Sequence, residues 1–395
     1  MKKIKVLFLI HNNCVDGSLL SFMDLAEALL KNNIEINAVG KKDLLQFPIF
    51  KQFLQNTGIK FYPVPIVLSY TEKWRVRNFL PYLKFILSLL PKKIYSFFYI
   101  LKIAKSLSPD LIHSNTGVLQ EGFFVSKLLS IPHVWHLREY QDLDFGFQIY
   151  PSKKIFQLLL SHSYCIPITK DIKNHFGLQE VLSKVVYDGV DSEKKIVAFG
   201  GEQKLKVFLC ASRLQPEKGQ EEVVRAFSKF VKRHPDYRLV VAGNGDSEYK
   251  KKLIRVTKEI LGTDSRKIEF IGFQSPENIR LLMRKSRALI VPSKREGFGR
   301  MTAEAMLNSC LVIGKRTGGT EEILNLCGGF GYLGGVEALA EKMEEVCQLS
   351  KRNYEEQSKK SYHSALRFFT NEASGKQVLD FYHQILTDRL KTSIL

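Results

Sequence analysis

Two carboxylates, Glu296 and Glu304, flank a glycine-containing turn in Pro292-Ser-Lys-Arg-Glu-Gly-Phe-Gly-Arg-Met-Thr-Ala-Glu-Ala-Met306. Carboxylates accept hydrogen bonds from sugar hydroxyls, and a helix predicted to start near Thr302 aims its N–H groups and positive dipole end at the same turn. That end favours an anion such as a diphosphate, and Gly297 and Gly299 let a ligand approach the main chain. A second set, Arg213 and Lys218, lies five residues apart in Phe208-Leu-Cys-Ala-Ser-Arg-Leu-Gln-Pro-Glu-Lys-Gly219. Both cations can turn over one helix N-terminus, where they oppose the dipole unless an anion is bound. A third set, Lys315-Arg-Thr-Gly-Gly-Thr-Glu-Glu-Ile323, puts paired glycines ahead of Glu321 and Glu322. Taken singly, each set also has a plainer reading. Glu304 suits any first helical turn, Glu296 any solvated loop, and the two cations any basic surface.

Each set directly follows a short apolar run, and the runs alternate with helix-length segments. Lys206–Ala211, Arg238–Ala242, Ile268–Ile271, Ala288–Val291 and Leu311–Gly314 read as strands. Gln220–Lys232, Glu248–Leu261, Glu277–Lys285 and Thr302–Asn308 read as the helices between them. The first half repeats the style, with strands at Val6–Ile10, Ile34–Val39, Leu111–His113, Val134–Leu137 and Cys165–Thr169 and an amphipathic stretch at Leu19–Leu30. Such alternation implies an α/β architecture with parallel sheets, which bind ligands beyond the C-terminal ends of their strands. A polar, glycine-containing stretch near 188–204 marks the domain boundary. The expected domains are 1–190, a linker at 191–204, 205–370, and a terminal amphipathic helix in 371–395 with apolar residues at 378, 379, 381, 382, 385 and 386.

Together the three sets resemble, in order, the signatures of retaining GT-B glycosyltransferases of the group 1 or family-four kind. E-G-F-G-x-x-x-x-E-A-M holds the glutamate pair, Arg213-Leu-x-Pro-Glu-Lys218-Gly is similar to the family's phosphate clamp, and Gly318-Gly-Thr-Glu-Glu322-Ile matches its glycine turn. Weaker matches are Val185-Val-Tyr-Asp-Gly-Val-Asp191 at the domain boundary, and Asp110–Thr116, Trp135–Glu139 and Cys165–Lys170 in an acceptor domain.

The resemblance implies two Rossmann-like parallel-sheet domains facing a central cleft, the acceptor domain first and the nucleotide-sugar domain second, with the terminal helix returning to the first. It also implies site roles. Glu304 would hold the nucleotide ribose, Glu296 the donor-sugar hydroxyls, and Arg213 and Lys218 the diphosphate. Phe298, Arg300 and Met301 line the same turn, and the backbone of Gly299–Thr302 would bind phosphate. Gly17 falls in the family's glycine loop over the donor, although this chain has Val15-Asp16-Gly17-Ser18 where many members carry Gly-Gly. His136 matches a histidine near the reaction centre and reads equally as a core histidine.

The implied reaction moves a sugar from a nucleotide-diphosphate sugar to an acceptor hydroxyl with retention, using fixed positive charge in place of a metal; no metal site and no cofactor are expected. An epimerase or phosphorylase-like relative, or a catalytically silent scaffold tethering partners at a membrane, stays open.

Composition sets the outer limits. The 395 residues are 45% hydrophobic and carry a net charge of +19, which excludes general disorder and fits two or three domains. Residues 71–106 concentrate the charge: Lys73, Arg75, Arg77, Lys84, Lys92, Lys93, Lys102 and Lys105 stand against Glu72 alone. They are interleaved with aromatic and aliphatic residues, and Pro81 and Pro91 are expected to break the stretch into short helices. This composition suits the surface of an anionic membrane and a lipid-linked acceptor, or else a partly buried helix pair with a basic face. No nucleic-acid reader motif is present. The apolar run after Met1-Lys-Lys-Ile-Lys is too short for a signal peptide, so a cytoplasmic chain, peripheral on the inner face of the plasma membrane, is the expectation. The six cysteines lack metal-ligand or disulfide-framework spacing, and Cys210 and Cys310 sit in apolar runs as core residues.

Overall fold

The alternating apolar runs become the strands of two parallel sheets in the computed structural model, which describes residues 3–72, 79–144, 146–200 and 203–392. The chain forms two units, Met1–Gly189 with Asn371–Leu395, and Val190–Thr370.

In the first unit the order is β1 (Ile4–Leu9), α1 (Gly17–Leu30), β2 (Ile34–Gly40), α2 (Pro48–Thr57), β3 (Lys60–Pro63), β4 (Tyr70–Glu72) and α3 (Phe79–Leu107). Then follow β5 (Leu111–Ser114), α4 (Glu121–Leu129), β6 (His133–Leu137), β7 (Phe147–Ile149), α5 (Lys153–Leu160), β8 (Tyr164–Pro167) and α6 (Lys170–Phe176). The sheet order is β3-β2-β1-β5-β6-β8, and β4 and β7 form a separate antiparallel pair. Both sheet faces are covered, so β1 reads as a continuous apolar run rather than an alternating one, and Val6 to Leu9 are wholly buried. Phe8 packs with Phe22 and Leu25 of α1, whereas Leu7 and Leu9 meet Ile100, Leu101 and Ala104 of α3.

The second unit runs β9 (Val207–Ala211), α7 (Gln220–Phe230), β10 (Arg238–Ala242), α8 (Ser247–Leu261), β11 (Ile268–Gly272), α9 (Pro276–Lys285) and β12 (Ala288–Val291). It continues with α10 (Arg300–Leu307), β13 (Leu311–Lys315), α11 (Gly318–Cys327), β14 (Phe330–Tyr332), α12 (Val336–Gln348) and α13 (Lys351–Phe369). The sheet order is β11-β10-β9-β12-β13-β14. Phe208, Phe227, Phe230, Leu239 and Met343 are among its core residues. Cys210 and Cys310 are buried, which raises their thiols to about 12 and about 11, as small core residues should behave.

The terminal helix α14 (Asn371–Thr392) lies in the first unit, where Val378, Phe381, Tyr382 and Ile385 join the core beside α1.

Two expectations change. The stretch 191–204 is not a free linker but part of the second unit: Arg280 donates to the Asp191 carboxylate at 3.0 Å, and Tyr362 Oη donates to the Val197 carbonyl at 3.2 Å. Asp191 and the Val197 carbonyl are held by their own unit, although Glu193, Lys194 and Lys195 between them are exposed.

The second change is in 71–106, where residues 73–78 lie outside the described ones. Prolines 81 and 91 do not divide the rest, which is one 29-residue helix. Pro81 falls in the first turn, where an N–H has no partner to lose, and Pro91 frees only the carbonyl of Leu87, an exposed residue whose carbonyl water can reach. One of the basic residues also turns inward: Lys93 donates to Glu121 Oε1 at 3.0 Å and to Ser69 Oγ at 2.6 Å.

Candidate functional site

At the C-terminal edge of the second sheet, the loops after three adjacent strands, β9, β12 and β13, are tied to one another. Gly219 has φ +74°, and a Cβ there would stand 2.5 Å from the Pro292 carbonyl oxygen, so only glycine lets the first two loops touch. The Lys294 amide then donates to the Glu217 carbonyl at 3.0 Å. A Cβ on Gly319 would lie 2.1 Å from the Phe298 carbonyl oxygen, and the Gly319 amide donates to the Glu296 carbonyl at 2.9 Å. Thr317 Oγ1 completes the tie with a bond to the Ser293 carbonyl at 3.2 Å.

Within this frame Lys218 Nζ donates to Glu296 Oε1 at 2.7 Å, both side chains being roughly a quarter exposed (28% and 22%). A pair so accessible is worth at most ~1 kcal/mol, so an entering phosphate can compete for the lysine at small cost. Arg213 is exposed, and its carbonyl accepts from Gln220 Nε2 at 2.8 Å. The two cations of the expected clamp therefore border the same loop.

Gly299, with φ +94°, caps α10, which starts at Arg300, two residues earlier than the sequence suggested. The Thr302 amide donates to the Gly299 carbonyl at 2.9 Å. The Thr302 and Thr320 hydroxyls are buried without a hydrogen-bond partner among the described residues, and a Cβ on Gly299 would meet both, at 3.4 and 3.1 Å. Met301 is partly buried, and Arg300 holds Glu304 Oε1 at 3.5 Å and the Val190 carbonyl at 3.4 Å. Phe298, expected as a ligand contact, is buried edge-on against Phe369 of α13, 5.6 Å between ring centroids, because that ring offers an apolar partner the loop lacks.

The C-terminal edge of the first sheet is built differently. Gly17 is the first residue of α1, and Asp16 caps the helix: its Oδ1 accepts from the Ser18 and Leu19 amides at 3.0 Å and from Asn12 Nδ2 at 2.7 Å. His136, at the end of β6, is buried with His113 Nε2 3.2 Å from its Nδ1, while Arg138 donates to that same Nδ1 (3.3 Å), to Asn115 Oδ1 (3.2 Å) and to Asp188. Tyr382 Oη meets His113 Nδ1 from α14. Burial, then the Arg138 charge, pushes the pKa of both histidines well below the usual range, so both rings are neutral. Nearby, burial lowers His11 to about 4, and Glu139, which accepts from Thr116 Oγ1 at 2.9 Å, is raised by burial and then by the Asp144 charge to about 7.

Sequence reasoning missed His113, Arg138, Glu139, Asp188 and Tyr382 as a set. The local signals are the weak segment matches at Asp110–Thr116, Trp135–Glu139 and Val185–Asp191, and position, since His113, His136, Arg138 and Glu139 stand at or just after the ends of adjacent strands, where such sheets bind ligands.

Residues 191–363 match the family model of glycosyl transferases group 1. An uncharacterized glycosyltransferase of Methanocaldococcus jannaschii is 31% identical over 228 residues, 56% of this chain and 60% of the relative. The N-acetyl-alpha-D-glucosaminyl L-malate synthase of Bacillus anthracis is 26% identical over 237 residues, 58% of this chain and 59% of the relative. The matched stretch thus spans about three-fifths of these curated relatives. Among solved structures, Anabaena HepE in complex with UDP superposes with a TM-score of 0.75 at 21% identity, covering 96% of this chain and 100% of that one. A glycosyltransferase from Rickettsia africae gives 0.77 at 18% identity, covering 98% and 99%. These likenesses establish the GT-B fold with two Rossmann-like parallel-sheet domains.

Proposed function

We propose, from the match of residues 191–363 to the family model of glycosyl transferases group 1, that the chain transfers a sugar from a nucleotide-diphosphate sugar to a hydroxyl of a glycan or glycolipid acceptor, with retention and without a metal. The observation that carries this reading is the set of three tied loops at one sheet edge, which brings Lys218, Glu296 and the glycine-capped start of α10 together. Lys218, with Arg213 at the rim, would neutralise the leaving diphosphate as the glycosidic bond breaks, a preorganised electrostatic effect. Glu296, released from Lys218 by the phosphate, would then be available to donor-sugar hydroxyls, and Glu304 to the ribose.

Thermal shift with a panel of UDP-, GDP- and ADP-sugars tests donor binding, since a ligand at 100 times its Kd adds ~2.7 kcal/mol of stability. Transfer in excess chelator and the anomeric configuration of the product, read by NMR, test the metal and retention parts. Equal near-zero donor hydrolysis by wild type and Glu296→Gln would favour the silent scaffold.

The acceptor side of the proposal is a lipid-linked glycan at an anionic membrane surface, as in cell-surface polysaccharide assembly. Along α3, Leu80, Leu83, Leu87, Leu90, Ile94 and Phe98 recur at three- and four-residue spacing with 39–67% exposure, beside exposed Lys84, Lys92, Lys102 and Lys105. An apolar stripe bordered by lysines suits a headgroup interface, each lysine near the surface adding ~1 kcal/mol. No helix among the described residues is long and apolar enough to cross a membrane. Flotation with phosphatidylserine vesicles at moderate salt is expected to retain the wild type and release Leu83→Ser/Leu87→Ser/Leu90→Ser. Equal recovery of both proteins would remove the membrane part.

A further inference from the structure

The hydrogen bonds around His136 leave little freedom in where its protons sit. A guanidinium can only donate, so the contact from Arg138 Nη2 at 3.3 Å makes His136 Nδ1 an acceptor. His113 Nε2, 3.2 Å from the same atom, must then carry a proton, which leaves His113 Nδ1 as the acceptor for the Tyr382 hydroxyl. Both rings are neutral, so His136 holds its proton on Nε2. That N–H is buried, has no hydrogen-bond partner among the described residues, and lies 3.8 Å from Asp188 Oδ1, which already serves Arg138. An unmet buried donor is costly to keep, and it persists here because the alternative tautomer would set an N–H on Nδ1 against the Arg138 guanidinium, which can only donate.

We infer that Tyr382, acting through His113, is a positioning residue which with Arg138 holds His136 as an Nε2–H donor, kept for an oxygen of the bound sugar substrate. The inference rests on the transferase reading above for the nature of the ligand, and on the first unit's own hydrogen bonds for the tautomer. For packing alone, phenylalanine would serve at 382, since the ring is fully buried beside Phe381 and Ile385. The hydroxyl is what reaches His113 across 269 residues of sequence.

The test uses the full chain labelled with ¹⁵N-histidine. Long-range ¹H–¹⁵N correlation at pH 7 is expected to show His113 and His136 neutral, each with its proton on Nε2. A proton on His136 Nδ1, or a charged His136, overturns the inference whatever the activity. With a donor in hand, Tyr382→Phe and His113→Leu are expected to lower kcat about 5–20-fold with donor KM within twofold. His113→Gln, whose amide can still donate to His136 Nδ1, is expected to recover most of the rate. Unchanged kcat in folded Tyr382→Phe and His113→Leu also overturns it. Absence of transfer with every donor in the panel would sink the functional reading instead, leaving the tautomer measurement to decide this one.

Discussion

Numbered along the chain within each unit, the strands of the two main sheets follow the same order, 3-2-1-4-5-6, yet the chemistry at their C-terminal edges is opposite in kind. The second sheet's edge is a set of glycine-tied loops with accessible charges, Lys218 and Glu296, that can exchange partners. The first sheet's edge is a buried chain of neutral histidines locked by Arg138, Asp188 and Tyr382. One architecture thus offers a charged cradle suited to an anion and a dry hydrogen-bonding array suited to neutral hydroxyls. The difference lies in loop sequence and not in topology.

The sharpest way to break this contrast is to remove charge from the second edge. Lys218→Met is expected to lower donor turnover by ~10²–10³, the scale for losing a preorganised donor at developing negative charge, with the fold intact. Steady-state rates and circular dichroism together check it; a loss below tenfold would mean the cradle does not serve a leaving anion.

Next is the frame that ties the loops. Gly319→Val places a side chain against the Phe298 carbonyl and is expected to cost about 2–4 kcal/mol in the second unit. Hydrogen exchange resolved by strand should show lost protection in β12 and β13, with β1, β5 and β6 unchanged.

The first edge should instead be broken by acid. His11, His113 and His136 at this edge, and His133 at the start of β6, all have pKa values lowered by burial, His11 to about 4 and His133 to about 3. The unfolded chain takes up these protons near pH 6.5, before the folded chain does. Their contribution is therefore whole above about pH 6.5 and is lost as pH falls, roughly 2–3 kcal/mol for His11 alone by pH 4. Exchange protection in β1, β5 and β6 should fall over that range ahead of β9 and β12, whose following loops contain no histidine.

How much of this could be read from sequence follows from the same contrast. The second edge was legible because each loop is one contiguous motif, and the residues that bond across it, such as Lys218 and Glu296, sit inside two such motifs. The strands were legible to within a residue or two at Arg238–Ala242 and Ala288–Val291, because buried parallel strands are unbroken apolar runs. The packing of Phe298 was not legible, since the sequence shows an aromatic between glycines but not the Phe369 ring that covers it. The first edge was illegible as a unit: its members come from 113, 136, 138, 188 and 382, and no local pattern pairs a strand histidine with a tyrosine on the last helix. Continuity of α3 through Pro91 was also hidden, because the sequence shows the missing donor but not the solvent beside the freed carbonyl.

The smallest effect concerns Glu139, a carboxyl at the first edge that opposes the histidines. Burial and the neighbouring Asp144 raise Glu139 to about 7, so the folded chain holds a proton there that the unfolded chain has released from about pH 4.5 upward. Between those values stability falls as pH rises, the reverse of the histidine slope. Glu139→Gln keeps an oxygen for Thr116 and removes the charge. Since the side chain retains some contact with solvent, the variant is expected to be about 1 kcal/mol more stable than wild type at pH 8 and equal to it at pH 4. Urea unfolding at the two pH values reads the difference. Equal stability at both would mean that Glu139 ionises as an ordinary surface carboxylate, and the first edge would then be less dry than its histidines imply.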